Sequence, residues 1–243
     1  MGRQSGALGA VVAVALLVGL SGCGSPVGPG DGKTGGKSPT DAASSAASQP
    51  GAGGAQAGDV LPGMVSVSVA RTQLAALTVG KPATMAGYSR DKFTHWAEQG
   101  NKCDTREVVL KRDGADVTQD GECRAQSGKW KSLYDGAVVT DAAKLDIDHM
   151  VPLAEAWRSG AAGWDAAKRK AFANDLTRPQ LLAVSASSNR SKGDQSPDLW
   201  QPTDKSSWCQ YGRAWTTVKS HYGLTVTEPE RAKITAMLDT CAS

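Results

Sequence analysis

The residues best suited to chemistry lie in the segment 146–153, which reads Asp-Ile-Asp-His-Met-Val-Pro-Leu. His149 directly follows Asp148, so an imidazole that can accept a proton adjoins a carboxylate that can bind a divalent cation. Neighbouring side chains of a regular strand point to opposite faces, and the two groups can serve one site only where the strand ends or bends. Pro152 is consistent with such an end. These residues indicate general-base chemistry beside a metal ion.

A second polar segment, 188–194, reads Ser-Asn-Arg-Ser-Lys-Gly-Asp and follows the apolar run Leu-Leu-Ala-Val at 181–184. The apolar run predicts a short strand, and the polar segment predicts a helix that Gly193 ends. Residues three apart on a helix are neighbours, so Asn189 and Lys192 are expected on one face. This helix and the segment 146–153 must converge if their side chains form one site.

The order Asp-His-x-x-Pro-Leu, a short strand and then Asn-x-x-Lys on a helix resembles the ββα-metal core of HNH endonucleases. The chain is similar in particular to secreted HNH proteins that resemble the C-terminal nuclease domain of GmrSD-type restriction enzymes. The resemblance extends to residues 88–90 (Tyr-Ser-Arg), 103–106 (Cys-Asp-Thr-Arg), 200–202 (Trp-Gln-Pro) and the helix that contains Cys209. It implies hydrolysis of phosphodiester bonds in DNA, with RNA as the alternative, by a one-metal mechanism.

The resemblance also implies a role for each matching residue of the core motif. His149 is expected to be the general base that activates water, and Asp148 a carboxylate ligand of a divalent cation. Asn189 matches the last letter of the HNH pattern and would bind the same cation through its amide oxygen. Two oxygen ligands and several retained waters suit Mg²⁺, with Mn²⁺ as the alternative. The ion would stabilise the leaving oxygen of the phosphodiester.

Three cationic side chains near the motif are candidates for contact with a substrate phosphate. Lys192 and Arg190 lie on the predicted helix, and Arg106 belongs to the upstream part of the resemblance. For Arg106 the competing interpretation is a structural ion pair near a disulfide.

The chain departs from the HNH pattern at its middle letter, which is usually Asn or His. The matching position, just before the apolar run 181–184, is Gln180, whereas Asn174 is close but out of register. The middle residue usually orients the region of the base rather than binding metal. We therefore expect Gln180 to take that orienting role.

Other interpretations of these residues compete with catalysis. A His beside an Asp is commonly a hydrogen-bonded structural pair, and His95 and His221, each next to an aromatic residue, are expected to be structural or surface residues. No Cys-x-x-Cys or His-x-x-x-His spacing indicates a zinc site. The competing function is a non-catalytic lipoprotein of the cell envelope that keeps an HNH-like fold for binding.

Residues 1–22 have the pattern of a lipoprotein signal peptide, with an apolar stretch that ends in Leu-Ser-Gly-Cys, which resembles a lipobox. Cys23 would then be the mature N-terminus and carry lipid, and an ordinary signal peptide with a chance cysteine is the alternative. Residues 23–62, rich in Gly, Ser and Ala, predict a flexible tether. We expect an exported protein anchored by its lipid at the outer face of the bacterial cell membrane, or extracellular.

Five cysteines occur in the chain, and those other than Cys23 allow three disulfide pairings. Apolar residues at helical spacing in 208–222 and 234–241 predict a C-terminal helical hairpin that turns after Gly223. Cys209 and Cys241 lie almost equally far from that turn, so they would face each other across antiparallel helices. We predict the disulfides Cys209–Cys241 and Cys103–Cys123.

Residues 63–243 have the length of one ordinary domain. The pattern of elements predicts an α+β fold, in which the ββα-metal (HNH) core is embedded in a mostly helical domain. The chain carries 27 Lys and Arg against 24 Asp and Glu, a formal charge of +3, so bulk charge alone does not indicate nucleic-acid binding. Any basic surface for a nucleic-acid substrate, DNA by preference, must be local. We expect a monomer.

Overall fold

The computed structural model describes residues 61–242. The predicted signal peptide, Cys23 and the tether up to residue 60 lie outside the described residues, so lipidation stays a prediction. Between residues 61 and 242, no helix is long and apolar enough to cross a membrane.

The packed domain begins earlier than the predicted boundary at residue 63. Leu61 is buried in the main apolar core. Gly63 has a φ of +62°, and a Cβ at this position would lie 2.3 Å from the carbonyl oxygen of Thr177. The chain is therefore packed against the domain from Leu61 onward.

The described residues form seven α-helices and five β-strands. In chain order these are α1 (Val67–Ala76), α2 (Thr105–Asp113), β1 (Ala115–Gln119), β2 (Ala125–Lys131), β3 (Val138–Val139), β4 (Leu145–His149), α3 (Leu153–Arg158), α4 (Ala166–Ala173), β5 (Leu181–Ser185), α5 (Ala186–Lys192), α6 (Trp208–Tyr222) and α7 (Glu228–Leu238).

The strands form two antiparallel sheets, one with the order β1–β2–β3 and the other made of β4 and β5. In the second sheet Leu145 pairs with Ser185 and His149 pairs with Leu181, so β4 ends at the predicted base. Helix α5 follows β5 without a break and packs against both strands. Two strands followed by this helix make the ββα unit, and the predicted α+β fold is confirmed.

Alternation along β4 and β5 divides their side chains between two apolar clusters. Ile147 and Ala183 belong to a small cluster around Trp130, whereas Leu182 belongs to the main core. Asp148 pairs with Leu182 and therefore lies on the face of the main core. A carboxylate in that position requires a partner, because an unpaired buried charge is strongly unfavourable.

The C-terminal hairpin consists of α6 and α7. Gly223 ends α6 in the left-handed conformation with a φ of 66°, and Thr227 begins α7 with a capping box to Glu230. The structure contains both disulfides expected from the sequence. Cys209–Cys241 joins the two helices of the hairpin, and Cys103–Cys123 joins the start of α2 to the turn between β1 and β2.

A buried ion network connects this hairpin to α3, the helix that follows β4 and His149. Lys219 Nζ in α6 is fully buried and lies 3.1 Å from Glu155 Oε1 of α3 and 2.6 Å from Glu230 Oε1 of α7. Trp215 Nε1 also donates to Glu230 at 2.7 Å. The hairpin thereby fixes the position of α3 behind the end of β4.

Candidate active site

His149 is held in one orientation at the end of β4. Its side chain is almost fully buried, its Nε2 lies 3.0 Å from the carbonyl oxygen of Ala173, and its ring packs beside Trp96. A carbonyl oxygen only accepts hydrogen bonds, so Nε2 must carry the proton. Ala173 is the last residue of α4, where carbonyl groups lack helical partners. In the neutral imidazole, Nδ1 is then the nitrogen with a free lone pair.

Burial lowers the pKa of His149 to about 3. The hydrogen bond to Ala173 acts in the opposite direction, and the charges of Arg90, His95 and Lys192 add to the lowering. At neutral pH the imidazole is therefore uncharged.

Asp148 is fixed by two hydrogen bonds to the same oxygen. Its Oδ2 accepts from Lys192 Nζ at 2.7 Å and from the Tyr134 hydroxyl at 2.5 Å, while Oδ1 takes part in neither bond. Lys192 Nζ also donates to the carbonyl oxygen of His149 at 2.9 Å. Burial raises the pKa of the Asp148 carboxyl and lowers the pKa of Lys192, and their mutual attraction opposes both shifts. One ammonium group thus positions the predicted ligand and the backbone of the predicted base.

Asn189 lies on α5 and is hydrogen-bonded to Asp146 of β4 rather than to Asp148. Its Nδ2 donates to Asp146 Oδ2 at 3.1 Å, which directs the amide nitrogen to the strand and leaves the amide oxygen out of that bond. The Nε of Arg190 lies 3.9 Å from the same carboxylate oxygen, and its side chain is 77% exposed.

A pocket of about 260 Å³ brings four of the predicted site residues together. Asp148, His149, Asn189 and Arg190 all line it, together with Arg90 and others. The strand end and the helix α5 therefore converge as the sequence requires.

Two of the predicted phosphate contacts do not reach this pocket. Lys192 is fully buried in its ion pair with Asp148, so its ammonium group lies out of reach of a phosphate, which corrects that expectation. Arg106 donates through Nη2 to the carbonyl oxygens of Ala142 and Leu145, at 3.2 and 3.1 Å. It does not line the pocket, and its bonds fix the start of β4 instead.

Gln180 is fully buried and makes a paired contact with the loop that follows His149. Its Oε1 accepts from the Val151 N–H at 3.1 Å, and its Nε2 donates to the Val151 carbonyl at 3.0 Å. Its own carbonyl accepts from Met150 at 2.7 Å. Asn174 is used elsewhere, with its side chain bonded to Thr94, Ala97, Thr105 and Lys170.

Sequence reasoning assigned no role to three residues that contribute to the site. Asp146 lies two residues before Asp148 on one strand face, a period-two spacing that could have revealed it. Arg90 lies in the Tyr-Ser-Arg segment of the resemblance and lines the pocket. Tyr134 carried no sequence signal, since its contact with Asp148 comes from the tertiary fold.

The donor set of this pocket fits a hard divalent cation. The Asp148 Oδ1 atom and the amide oxygen of Asn189 are oxygen donors, and both residues line the same pocket. No group of three or more His, Cys, Asp or Glu side chains placed to hold a metal occurs between residues 61 and 242. Mg²⁺ commonly keeps several waters and needs only one or two carboxylates, so this sparse donor set suits it better than zinc.

Comparison with known proteins agrees with this geometry. The ββα unit, with a histidine at the strand end and an asparagine on the helix, defines an HNH-type domain. Residues 104–237 match the family of GmrSD restriction endonucleases, C-terminal domain, and the chain belongs to this family. That membership indicates a nuclease-like function.

One curated relative is an "Uncharacterized secreted protein" of Arthroderma benhamiae. It is 52% identical over 180 residues, which cover 74% of this chain and 88% of that protein. No solved structure matches the chain significantly.

Proposed function

We propose that this protein is an exported, metal-dependent HNH endonuclease that hydrolyses phosphodiester bonds of DNA, with His149 as the general base. The observation that carries the proposal is the 3.0 Å contact between His149 Nε2 and the carbonyl oxygen of Ala173. Nε2 donates to the Ala173 carbonyl, which leaves Nδ1 as the proton acceptor. This imidazole shares a pocket with Asp148 and Asn189, the oxygen donors suited to a divalent cation.

In this mechanism the residues of the chain orient water and substrate. His149 Nδ1 takes a proton from the attacking water while Nε2 keeps its proton, so the imidazolium that forms remains bonded to Ala173. Arg190, exposed at the rim of the pocket, contacts a phosphate oxygen of the substrate. Asp148 and Asn189 would hold Mg²⁺ or Mn²⁺, which would supply electrostatic stabilisation of the leaving oxygen.

Gln180 and Lys192 act as positioning residues in this proposal. Gln180 holds the backbone of Val151, two residues after the base, and Lys192 holds the carbonyl of His149 itself. Both contacts restrict movement of the loop between β4 and α3. A base fixed in this way needs little reorganisation when water is bound.

The test is cleavage by the purified protein of supercoiled plasmid, linear duplex DNA and RNA, each with Mg²⁺, with Mn²⁺ and with a chelator. We expect DNA cleavage that depends on the ion and falls about 10²–10⁴-fold in His149→Ala, since general-base catalysis contributes that much. His221→Ala is the matched control, because His221 is exposed and lines none of the pocket.

Survival of all three nucleic acids under these conditions, or cleavage by His149→Ala at the parent rate, would contradict the enzyme assignment. In that case the protein is better described as the non-catalytic envelope lipoprotein with an HNH-like fold. Retention of binding without cleavage by the parent protein would support that second description.

We also propose that the protein is anchored by lipid on Cys23 at the outer face of the cell membrane. The lipobox pattern at residues 20–23 supports this, and two disulfides are typical of proteins in an oxidising compartment. Lipid attached in vivo should label the parent protein but not Cys23→Ser, which should be released from the membrane fraction. Equal labelling and equal membrane association of both would contradict the anchor.

A further inference from the structure

The pocket that contains His149 has an excess of uncompensated positive charge. Four charged residues line it: Arg90, Asp148, Arg190 and Asp194. Both carboxylates are already paired with cations that do not line the pocket. Asp148 lies 2.7 Å from Lys192, and Asp194 Oδ2 lies 2.7 Å from Arg158 Nη1. Arg190 is likewise paired outside the pocket, 3.9 Å from Asp146, so Arg90 is the charged lining residue left to attract an anion.

Arg90 differs from the other arginines near the site in having no competing partner. Arg158 is occupied by Glu155 and Asp194, and Arg190 lies 3.9 Å from Asp146. The Arg90 side chain is exposed, and it forms neither an ion pair nor a hydrogen bond within residues 61–242. It can engage a bound anion without giving up an existing contact.

The backbone around Arg90 is nevertheless firmly placed. Arg90 begins a short 3₁₀ turn that Ser89 caps, with Ser89 Oγ accepting from the Asp91 N–H at 3.3 Å. On either side, Tyr88 and the fully buried Phe93 pack against the ring of Trp157, with ring centroids 5.7 and 6.4 Å away. Arg90 therefore has an anchored backbone, and its exposed side chain lines the pocket.

We propose that Arg90 binds a phosphate of the nucleic-acid backbone in this pocket. This inference rests on the proposed function and adds a substrate-binding residue to it. A guanidinium presents paired N–H donors that match two oxygens of one phosphate, which an ammonium cannot do. The position of Arg90 beside His149 places that phosphate next to the base.

The experiment measures binding separately from cleavage, in the His149→Ala background with a labelled DNA duplex and no turnover. Fluorescence anisotropy over a series of salt concentrations gives the affinity and its salt dependence. Adding Arg90→Ala should weaken binding roughly 10-fold and reduce the slope of log affinity against log salt by about one, the loss of one phosphate contact. Arg90→Lys should keep the slope and recover only part of the affinity.

Arg124→Ala is the matched control, because Arg124 is also exposed and lies outside the pocket, before β2. It should leave affinity and slope unchanged, and thermal unfolding should show that all variants are folded.

An Arg90→Ala variant with the parental affinity and slope overturns the inference, as does an equal loss in Arg124→Ala. If the active parent cleaves DNA while Arg90→Ala binds normally, only the role of Arg90 fails. If the parent neither binds nor cleaves nucleic acid, the proposed function fails and this inference with it.

Discussion

Lys192 Nζ lies 2.7 Å from Asp148 Oδ2, and the two side chains are 0% and 6% exposed. Lys192 of α5 therefore points inward, and its ammonium group neutralises the carboxylate of Asp148 in β4. The two hydrogen bonds at Oδ2 leave Asp148 Oδ1 outside this pairing, and Asp148 lines the pocket.

Replacement of Lys192 should strongly destabilise the protein. Lys192→Met leaves the Asp148 carboxylate buried beside Tyr134 without a counter-charge, and we expect the free energy of unfolding to fall by about 3–5 kcal/mol. Urea unfolding measures this change. Arg190→Met is the control, since its ion pair is exposed and should contribute less than about 1 kcal/mol. Asp148→Asn combined with Lys192→Met should recover part of the loss, and a Lys192→Met protein as stable as the parent would rule out the buried ion pair.

The neutral state of His149 predicts a stability that depends on pH. The pKa of His149 is about 3 in the folded protein against 6.5 for the free side chain. Below pH 6.5 the unfolded chain takes up a proton that the folded protein excludes, so acid favours unfolding. This group should lower the free energy of unfolding by about 1.4 kcal/mol per pH unit as the pH falls from 6.5 toward 3, and it causes no such loss above pH 6.5.

Urea unfolding of the parent and of His149→Gln, at several pH values with chelator present, isolates this contribution. The free energy of unfolding of the parent should fall relative to that of His149→Gln as the pH falls, because other titrating groups are common to both proteins. Parallel curves over the same range would mean that His149 is not kept neutral by the fold.

Gln180→Leu should loosen the loop after the base. The substitution keeps the approximate size of the side chain but leaves the Val151 N–H and carbonyl without partners. Buried polar groups without partners cost about 1–3 kcal/mol each, so we expect a loss of about 2–4 kcal/mol in the free energy of unfolding, with reduced cleavage. Gln126→Leu, at an exposed position of β2, should change neither property. Equal stability of the two variants would remove Gln180 from its positioning role.

Removal of the hairpin disulfide should destabilise the domain through the unfolded state. Cys209 and Cys241 are 32 residues apart, and freeing a loop of this length costs about 3–4 kcal/mol in the chain-entropy account. Urea unfolding of Cys209→Ser/Cys241→Ser tests this expectation. The disulfide Cys103–Cys123 closes a loop of 20 residues, so its removal should cost slightly less stability. Unchanged stability in the hairpin variant would show that the crosslink does not restrict the unfolded chain.

The parts of the fold that the sequence predicted are those with local signals. An apolar run marked β5, and Gly193 and Gly223 marked the ends of α5 and α6. Strand β1 was missed because four of its five residues are not buried, with only Val117 in the core, so no alternating apolar pattern reveals it.

The inward direction of Lys192 could not be read from the sequence either. Lysine is almost always exposed, and the face that α5 presents to β4 depends on tertiary packing. The three-residue spacing of Asn189 and Lys192 suggested that both side chains serve the active site. In the structure Lys192 is instead buried in its ion pair with Asp148.

The hydrogen-bond partner of His149 is a main-chain atom, the carbonyl oxygen of Ala173, so the contact does not depend on the side chain at that position. The carbonyl at the end of α4 remains in place whatever side chain stands at position 173, so no single substitution there deletes the acceptor. Only a shift of the whole helix would release Nε2 and let the ring exchange its tautomer. Two relatives could thus keep the same tautomer of this histidine while differing in every residue at the end of the helix. A comparison of their sequences alone would not reveal the shared hydrogen bond.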